Sequence, residues 1–360
     1  LNGTNGFRIN GISASDYSGW SVASAGDMNG DDLSDLIIGA YGADPGNRTS
    51  AGSSFVVFGT RSGFAATLEL STLNGVNGFR INGVSASDLS GWSVASADDM
   101  NGDGLSDLVI GARASPGGRN YAGSSFVVFG TRAGFAATLE LSTLNGANGF
   151  RINGASDYDY SGCSVASAGD INGDGLSDLV IGAYGAGPGG RVQAGSSFVV
   201  FGTRVGFGAT LELSALNGAN GFSINGVSAG DYSGWLVASA GDINGDGLSD
   251  LVIGAYRAFA SGQGAAGSSF VVFGDSIQAI ANQLTVSGGQ SQILTPISLN
   301  VSVPRSPEYT QYTITEPQHG RFEYTTQPGI TITRFSGQDV IMGRLNFIHD
   351  DSELAPSYSV

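Results

Sequence analysis

Apolar residues in this chain come in short runs. They read "SVASA", "DLIIGA", "SSFVVFG" and "GFRING", and each is bounded by Gly, Asn, Asp or Ser. The runs are rich in Val, Ile and Phe. They are too short for helices, which need roughly ten or more periodic residues, so they predict strands joined by tight turns. Four strands fall in the first stretch of the chain, around 20–25, 35–40, 53–58 and 79–82.

The set then repeats. "GDMNGDDLSD" at 26–35 returns as "DDMNGDGLSD" and twice as "GDINGDGLSD", with its first Asp at 27, 99, 170 and 242, 71 or 72 residues apart. Four antiparallel strands at a fixed period predict the blades of a β-propeller, and the fold class is all-β. A β-solenoid is the alternative, though its period is usually shorter. The propeller region spans 1–274. Its last unit lacks a "GFRING" strand, while the chain opens with a spare one at 7–11. In one reading that strand completes the last blade and closes a four-bladed ring, removing the open edges. In the other, upstream blades belong to a larger ring. The chain opens in mid-unit, so its start reads as a cut, and a missing leader says little.

Composition narrows the function. The 59 glycines and only 13% charged residues fit many turns between strands. The net charge of −16 disfavours nucleic acid and anionic membrane as partners. All 15 basic residues are Arg, the only histidines are His319 and His349, and the one cysteine is Cys163. A lone Cys fits neither an internal disulfide nor a Cys-ligated zinc site. No stretch approaches the roughly 20 apolar residues of a membrane helix.

The acidic loops give the charge a purpose. Oxygen donors occupy alternate positions: Asp27, Asn29, Asp31, the Leu33 carbonyl and Asp35 in the first copy. The set recurs as Asp99, Asn101, Asp103, Leu105 and Asp107; as Asp170, Asn172, Asp174, Leu176 and Asp178; and as Asp242, Asn244, Asp246, Leu248 and Asp250. Three carboxylates, an amide oxygen and a backbone oxygen suit Ca²⁺, which takes about six to eight oxygens, better than the stricter octahedron of Mg²⁺. The loop is not an EF-hand: the closing Glu is absent and strands flank it. An Asp/Asn/Gly turn without metal explains one or two acids, but not three at fixed positions in four copies. Four calcium sites are therefore expected. The first copy carries Asp32 where the others have Gly.

"SVASAGDINGDGLSDLVIGA" with "GSSFVVFG" resembles the FG-GAP repeat of integrin α-subunit propellers, over about 1–274. The resemblance implies calcium in the hairpin loop between the first two strands of each blade. It also implies calcium-dependent adhesion or recognition, and some family members are attached to enzymes. The usual "FG" is "GW" at Trp20, Trp92 and Trp235, and Cys163 takes that place in the third unit. These side chains read as blade-packing residues. The near identity of the copies resembles bacterial surface proteins more than animal integrins. From about 282, "LTVSGGQSQILT", "PQHGRFE" and "GRLNFIHDDSE" resemble a CSPG (NG2-type) repeat, a cadherin-like β-sandwich of extracellular proteins. A linker at 275–281 and a sandwich at 282–360, truncated before its last strand, follow from that likeness. His349 reads as structural, and Asp350, Asp351 and Glu353 as a solvated turn.

An enzyme is disfavoured by inventory. Residues 1–274 hold no His and no Lys, which removes Ser–His–Asp, P-loop, Schiff-base and His–zinc chemistry there. "GAGPGG" at 185–190 fits G-x-G-x-x-G only formally: it contains Pro188 and opens no helix. The reading is an extracellular calcium-binding adhesion or recognition protein with a protein or glycan ligand. The alternative is a propeller accessory domain of a secreted hydrolase, a phospholipase or glycan-active enzyme. Loops after the second strands vary most between copies. Their Arg48, Arg119, Arg191 and Arg257, gathered on one axis, would hold a carboxylate or sulfate. The competing expectation is that Asp16, Asp88, Asp157, Asp159 and Asp231 on the same face pair with these arginines.

Overall fold

The computed structural model describes residues 1–114, 119–259, 265–275, 291–293, 311–313, 315–336, 339, 342–350 and 357–359. The chain divides into two compact units. One comprises Leu1–Gly169, Leu176–Asn244 and Ser249–Phe273; the other comprises Asp170–Gly175, Gly245–Leu248 and Gly274–Val360. Most of the expected linker, from 276 on, lies outside the described residues.

In the first unit, β1 (Arg8–Asn10) precedes four blades. The first blade contains β2 (Ser21–Gly26), β3 (Asp35–Ala40), β4 (Ser53–Val57), β5 (Thr67–Glu69) and β6 (Gly78–Asn82). The second contains β7 (Ser90–Asp98), β8 (Asp107–Ala112), β9 (Ser124–Val128), β10 (Thr138–Glu140) and β11 (Gly149–Asn153). The third contains β12 (Ser164–Gly169), β13 (Asp178–Ala183), β14 (Ser196–Val200), β15 (Thr210–Glu212) and β16 (Gly221–Asn225). The fourth contains β17 (Ser233–Gly241), β18 (Asp250–Ala255) and β19 (Ser268–Val272). Each of the first three blades is an antiparallel meander of four strands, ordered β2-β3-β4-β6 in the first.

Sequence explains the layering. The middle strands β8 and β9 are buried at every residue, so they read as continuous apolar runs and not as alternation. The innermost strands β2, β7, β12 and β17 pack side by side in that order. They are built from Ser and Ala because blades approach closely there. A Cβ on Gly39 would lie 2.2 Å from the Gly91 carbonyl oxygen of the next blade, and one on Gly111 would lie 2.0 Å from that of Gly162. Nothing larger than glycine fits these positions.

The short Thr-Leu-Glu strand does not join its own blade. β10 pairs in parallel with β6 of the preceding blade, through Arg80↔Thr138, Ile81↔Leu139 and Asn82↔Glu140, and β15 pairs likewise with β11. The second and third repeats thereby each cover the open edge of the one before. Aromatic rings lock the exchange. Phe79 stacks on Phe135 at 4.2 Å, and Phe58 lies 5.8 Å from Phe79 and 5.9 Å from Phe135. Burying one such ring contributes about 1.5–3 kcal/mol.

β1 follows the same rule, which corrects the expectation that residues 7–11 complete the last blade. It lies on β5, with Arg8↔Thr67 and Asn10↔Glu69, and among the described residues the fourth sheet holds only β17, β18 and β19. The end blades do not meet: Val22 of β2 is 65% exposed, and a Cβ on Gly254 would approach no blade but its own. Arg8 N–H donates to the Ala66 carbonyl at 3.0 Å, Phe7 stacks on Phe64 at 4.1 Å, and Asn10 donates to Glu69 at 2.6 Å. These contacts reproduce those that the fourth strands β6 and β11 make.

In the second unit, Leu345–His349 pairs with Gly320–Tyr324 and with Ser291–Ile293, Gln311–Thr313 with Arg334–Ser336, and Thr315–Gln318 with Ser357–Ser359, all antiparallel. Its core is aromatic: Phe322, Phe335 and Phe347 are buried, and Phe322 meets Phe347 edge to face at 5.1 Å. His349 is buried at the end of a central strand. Asp351 and Glu353 of the expected turn lie outside the described residues.

Candidate metal loops and the opposite loop face

Each Asp loop begins at a β-bulge. The register between first and second strands shifts after Ser24, Ser96, Ser167 and Ser239, and the next paired residue, Gly26, Asp98, Gly169 or Gly241, has φ between 50° and 66°. The bulge turns the chain into the loop. Asp27 then organises the first loop. Its carboxylate accepts from the N–H groups of Gly30, Asp31 and Asp32 at 2.7, 3.2 and 2.8 Å. Asn29 Oδ1 accepts from Asp31 N–H at 3.0 Å, and Asp31 Oδ1 accepts from Leu33 N–H at 2.9 Å. Gly30 supplies the sharp turn at φ 76°, and Asp32 takes φ 65° where Gly104 stands at 82° in the second loop. The side-chain change in the first copy therefore leaves the backbone course in place.

Asp35 closes the loop from below. It is buried, and its two oxygens accept from Met28 N–H at 3.1 Å and Gly59 N–H at 2.9 Å. Burial pushes its carboxyl up to about 6, with further repulsion from Asp31 and Asp27. The second loop is a near copy. Asp99 accepts from Gly102, Asp103 and Gly104, and Asp107 accepts from Met100 and Gly130. Burial, with Asp103 and Asp99 adding to it, pushes Asp107 up to about 7. The third and fourth loops divide between the two units. In one unit Asp170 accepts from Gly173, Asp174 and Gly175, and Asp246 accepts from Leu248. In the other, Asp178 accepts from Gly202 and Asp250 from Ile243.

These donors suit a hard cation in kind: all are oxygens, and a carboxylate oxygen that accepts one N–H keeps a second lone pair. As they stand, the oxygens are turned onto backbone N–H groups of the loop. Among the described residues, no three acidic side chains converge as a finished ligand set. The following blade grips the first two loops from outside. Asp27 and Met28 carbonyls accept from Ser106 and Thr131 N–H at 3.0 and 2.8 Å, and Asp99 and Met100 carbonyls from Ser177 and Thr203 at 3.2 and 2.8 Å.

The loops after the second strands lie at the other end of the blades, beside those after the fourth: the Asp16 and Asp88 carbonyls accept from Gly42 and Ala114 N–H. The arginines of this face are engaged one by one. Arg48 pairs with Glu140 at 2.6 Å, and Arg119 with Glu212 at 3.0 Å and the Gly154 carbonyl at 2.8 Å. Arg191 donates to the Gly226 carbonyl, and the Arg257 guanidinium lies 5.3 Å over the Tyr232 ring. The aspartates do other work: Asp16, Asp88, Asp159 and Asp231 accept from the N–H of Ser13, Ser85, Ser156 and Ser228, and Asp157 from Asn120.

A run of rings on this face was not anticipated. Tyr17 stacks on Tyr41, Trp20 meets Trp92 at 5.1 Å, and Tyr184 meets Trp235 at 4.7 Å. Arg113 joins the two halves: its guanidinium sits 4.6 Å from the Trp92 ring and 5.0 Å from the Tyr160 ring, and it donates to Tyr184 Oη at 2.9 Å. The residue after each "IGA" carries the signal, since Tyr41, Arg113, Tyr184 and Tyr256 share that position.

The family model for the FG-GAP repeat matches residues 18–57, 90–128, 164–200 and 233–272. A model described as cadherin-like matches 278–358. No curated protein matches the chain. The four matched stretches hold the first three strands of each blade, with the Asp loop inside each.

Proposed function

We propose that this chain, which carries four FG-GAP repeats and a cadherin-like domain, is a calcium-binding adhesion and recognition protein of the cell exterior. Domains of both kinds are typical of extracellular, non-catalytic adhesion proteins. Among the described residues no helix is long and apolar enough to cross a membrane.

The observation that supports calcium is the repeated loop. Asp27, Asn29, Asp31 and Asp35, with Asp99, Asn101, Asp103 and Asp107, present oxygens only, on a backbone course set by the same bulge and the same hydrogen bonds. The same residue types stand at the same positions of the third and fourth loops. Calcium would offset the repulsion among the carboxylates of a loop and tie its two strands together. Ligand contact is assigned to the opposite face, where the loops at 41–51, 113–122, 184–194 and 256–266 differ between copies. The ligand is a protein or glycan.

The test is thermal melting of calcium-depleted protein with and without millimolar Ca²⁺, followed by binding to glycan and matrix-protein arrays. At a hundredfold excess over Kd one site adds about 2.7 kcal/mol. A midpoint that ignores calcium would sink the metal assignment. Array binding that is equal with and without calcium would separate recognition from the loops.

A further inference from the structure

Neighbouring blades are zipped together on the variable face in one fixed way. The loop after the second strand of a blade runs beside the loop that enters the next blade, and two backbone hydrogen bonds join them. At the first junction Ser87 N–H donates to the Thr49 carbonyl at 2.8 Å and Leu89 N–H to that of Ser50 at 3.1 Å. At the second, Tyr158 and Tyr160 donate to Asn120 and Tyr121 at 2.8 and 3.0 Å. At the third, Gly230 and Tyr232 donate to Val192 and Gln193 at 3.0 and 3.1 Å. Each junction thus brings one pair of positions together: Ser50 with Ser87, Tyr121 with Tyr158, and Gln193 with Gly230.

Both positions of every pair have left-handed backbone. φ is 50° at Ser50, 49° at Tyr121 and 56° at Gln193; it is 66° at Ser87, 63° at Tyr158 and 80° at Gly230. Bulky side chains disfavour this conformation. The first junction meets it with two serines. The third meets it with Gly230 and with Gln193, whose Oε1 accepts from Tyr232 Oη at 2.7 Å. The second junction, between two blades that each have all four strands, places tyrosine at both positions. Burial does not offset the strain: Tyr121 is 51% exposed and Tyr158 55%. Their ring centroids lie 6.0 Å apart with the planes inclined by 22°, and Tyr121 lies 5.8 Å from Tyr160.

The polar groups beside this pair also depart from the other copies. Asp157 stands where the adjoining repeats have Ala86 and Ala229. It is exposed, and one oxygen accepts from Asn120 N–H at 3.2 Å, so the carboxylate keeps acceptor capacity to spare. Asn120, exposed in turn, replaces Thr49 and Val192 and adds an amide that both donates and accepts. Tyr160, next to Tyr121, carries the Arg113 guanidinium 5.0 Å from its ring. Two half-exposed rings, a carboxylate and an amide therefore meet at one junction, drawn from two loops about 35 residues apart and held by backbone hydrogen bonds.

We infer that Tyr121 and Tyr158 form a stacking platform for a neutral pyranose of a glycan, with Asp157 and Asn120 taking its hydroxyls. The inference rests on the assignment of ligand contact to this face, and it names the ligand class. The electron-rich face of a tyrosine ring attracts the polarised C–H groups on one face of a pyranose. Tyrosine also supplies rigid, amphipathic contact area at little cost in conformational entropy. A carboxylate accepts from sugar hydroxyls, and its charge repels uronic and sialic acids, as does a chain of net charge −16. Two half-exposed rings match a sugar residue or two, whereas a stable protein interface needs about 800 Å² from each partner. The Asp loops lie at the other end of the blades, so calcium takes no part in this contact.

A printed array of neutral and acidic oligosaccharides, followed by saturation-transfer NMR on those that bind, tests it. The full chain should bind neutral members in preference to acidic ones, equally in millimolar Ca²⁺ and in EDTA, with saturation reaching the pyranose C–H protons. Tyr158→Gly and Tyr121→Ser install the residues that Gly230 and Ser50 supply at the other junctions. Each should weaken binding by about tenfold or more, a change of about 1.4 kcal/mol. Each should also leave the melting midpoint unchanged or raise it, because a bulky left-handed residue has been removed. Asp157→Ala, the residue of the sibling copies, should weaken binding several-fold with the fold intact. A packing role for the rings predicts the reverse: a lower midpoint and unchanged binding. No neutral oligosaccharide bound by the wild type, a preference for acidic ones, or tyrosine variants that bind as the wild type does would overturn the inference. Failure of the calcium assignment shows separately, as a melting midpoint that ignores calcium while glycan binding persists.

Discussion

Without calcium, stability should fall as pH rises from about 4 to 7. The cause is burial of carboxyls at fixed points of the blades. Asp107 is buried, holds two backbone N–H groups, and is pushed up to about 7 from its ordinary 3.8. Between those values the folded chain keeps a proton that the unfolded chain has lost, so raising the pH favours unfolding until about pH 7. A shift of about three units at about 1.4 kcal/mol each puts this on the order of 4 kcal/mol for Asp107 alone. Asp35, Asp88 and Asp159, pushed by burial up to about 6, act in the same direction over a narrower window. Urea melts followed by tryptophan fluorescence, on protein stripped of metal by a chelating resin, measure it at pH 5, 6, 7 and 8. The midpoint should drop from pH 5 to 7 and change little from 7 to 8. In millimolar Ca²⁺ the drop should shrink or reverse, because a bound cation favours the ionised carboxylates of Asp35 and Asp107. A metal-free midpoint that is flat or rises from pH 5 to 7 would refute the reasoning.

Phe135→Ala removes the ring that one repeat places on Phe79 of the repeat before it, and should cost about 3 kcal/mol by thermal or urea melting. An unchanged midpoint would contradict the exchange of strands between repeats. Glu140→Ala should cost about 1 kcal/mol or less, since its pair with Arg48 is about one-third exposed and screened. A double-mutant cycle with Arg48→Ala checks that the two side chains couple at all. The Cys163 thiol is pushed by burial up to about 12, and its sulfur lies 3.4 Å from the Gly182 carbonyl oxygen. It should resist iodoacetamide at pH 8 in the folded chain and react in urea; fast labelling of folded protein would contradict this.

The strands were legible because their apolar runs and glycine boundaries repeat. Expected spans 20–25, 35–40 and 79–82 appear as Ser21–Gly26, Asp35–Ala40 and Gly78–Asn82. β5, β10 and β15 were not legible. Three residues are too few to show alternation, and β10 pairs with a strand 58 residues earlier, a contact that no local pattern announces. The same exchange puts β5 on β1, as it puts β10 on β6. It also explains the arginines: Glu140 and Glu212 arrive from the next repeat and meet Arg48 and Arg119, while the nearby aspartates are occupied by serine N–H groups of their own turns. The spacing of Asp27, Asn29, Asp31 and Asp35 was plain in the sequence, but the grip of the following blade on their loop was not.

Calcium in the Asp loops is the central claim, and counting bound ions tests it most directly. Equilibrium dialysis against radioactive calcium, with the fold monitored by circular dichroism, should find four ions per chain. Asp103→Ala should retain three with its circular dichroism unchanged. A folded wild-type chain that retains fewer than one ion, or a variant that binds as many as the wild type, would contradict the account.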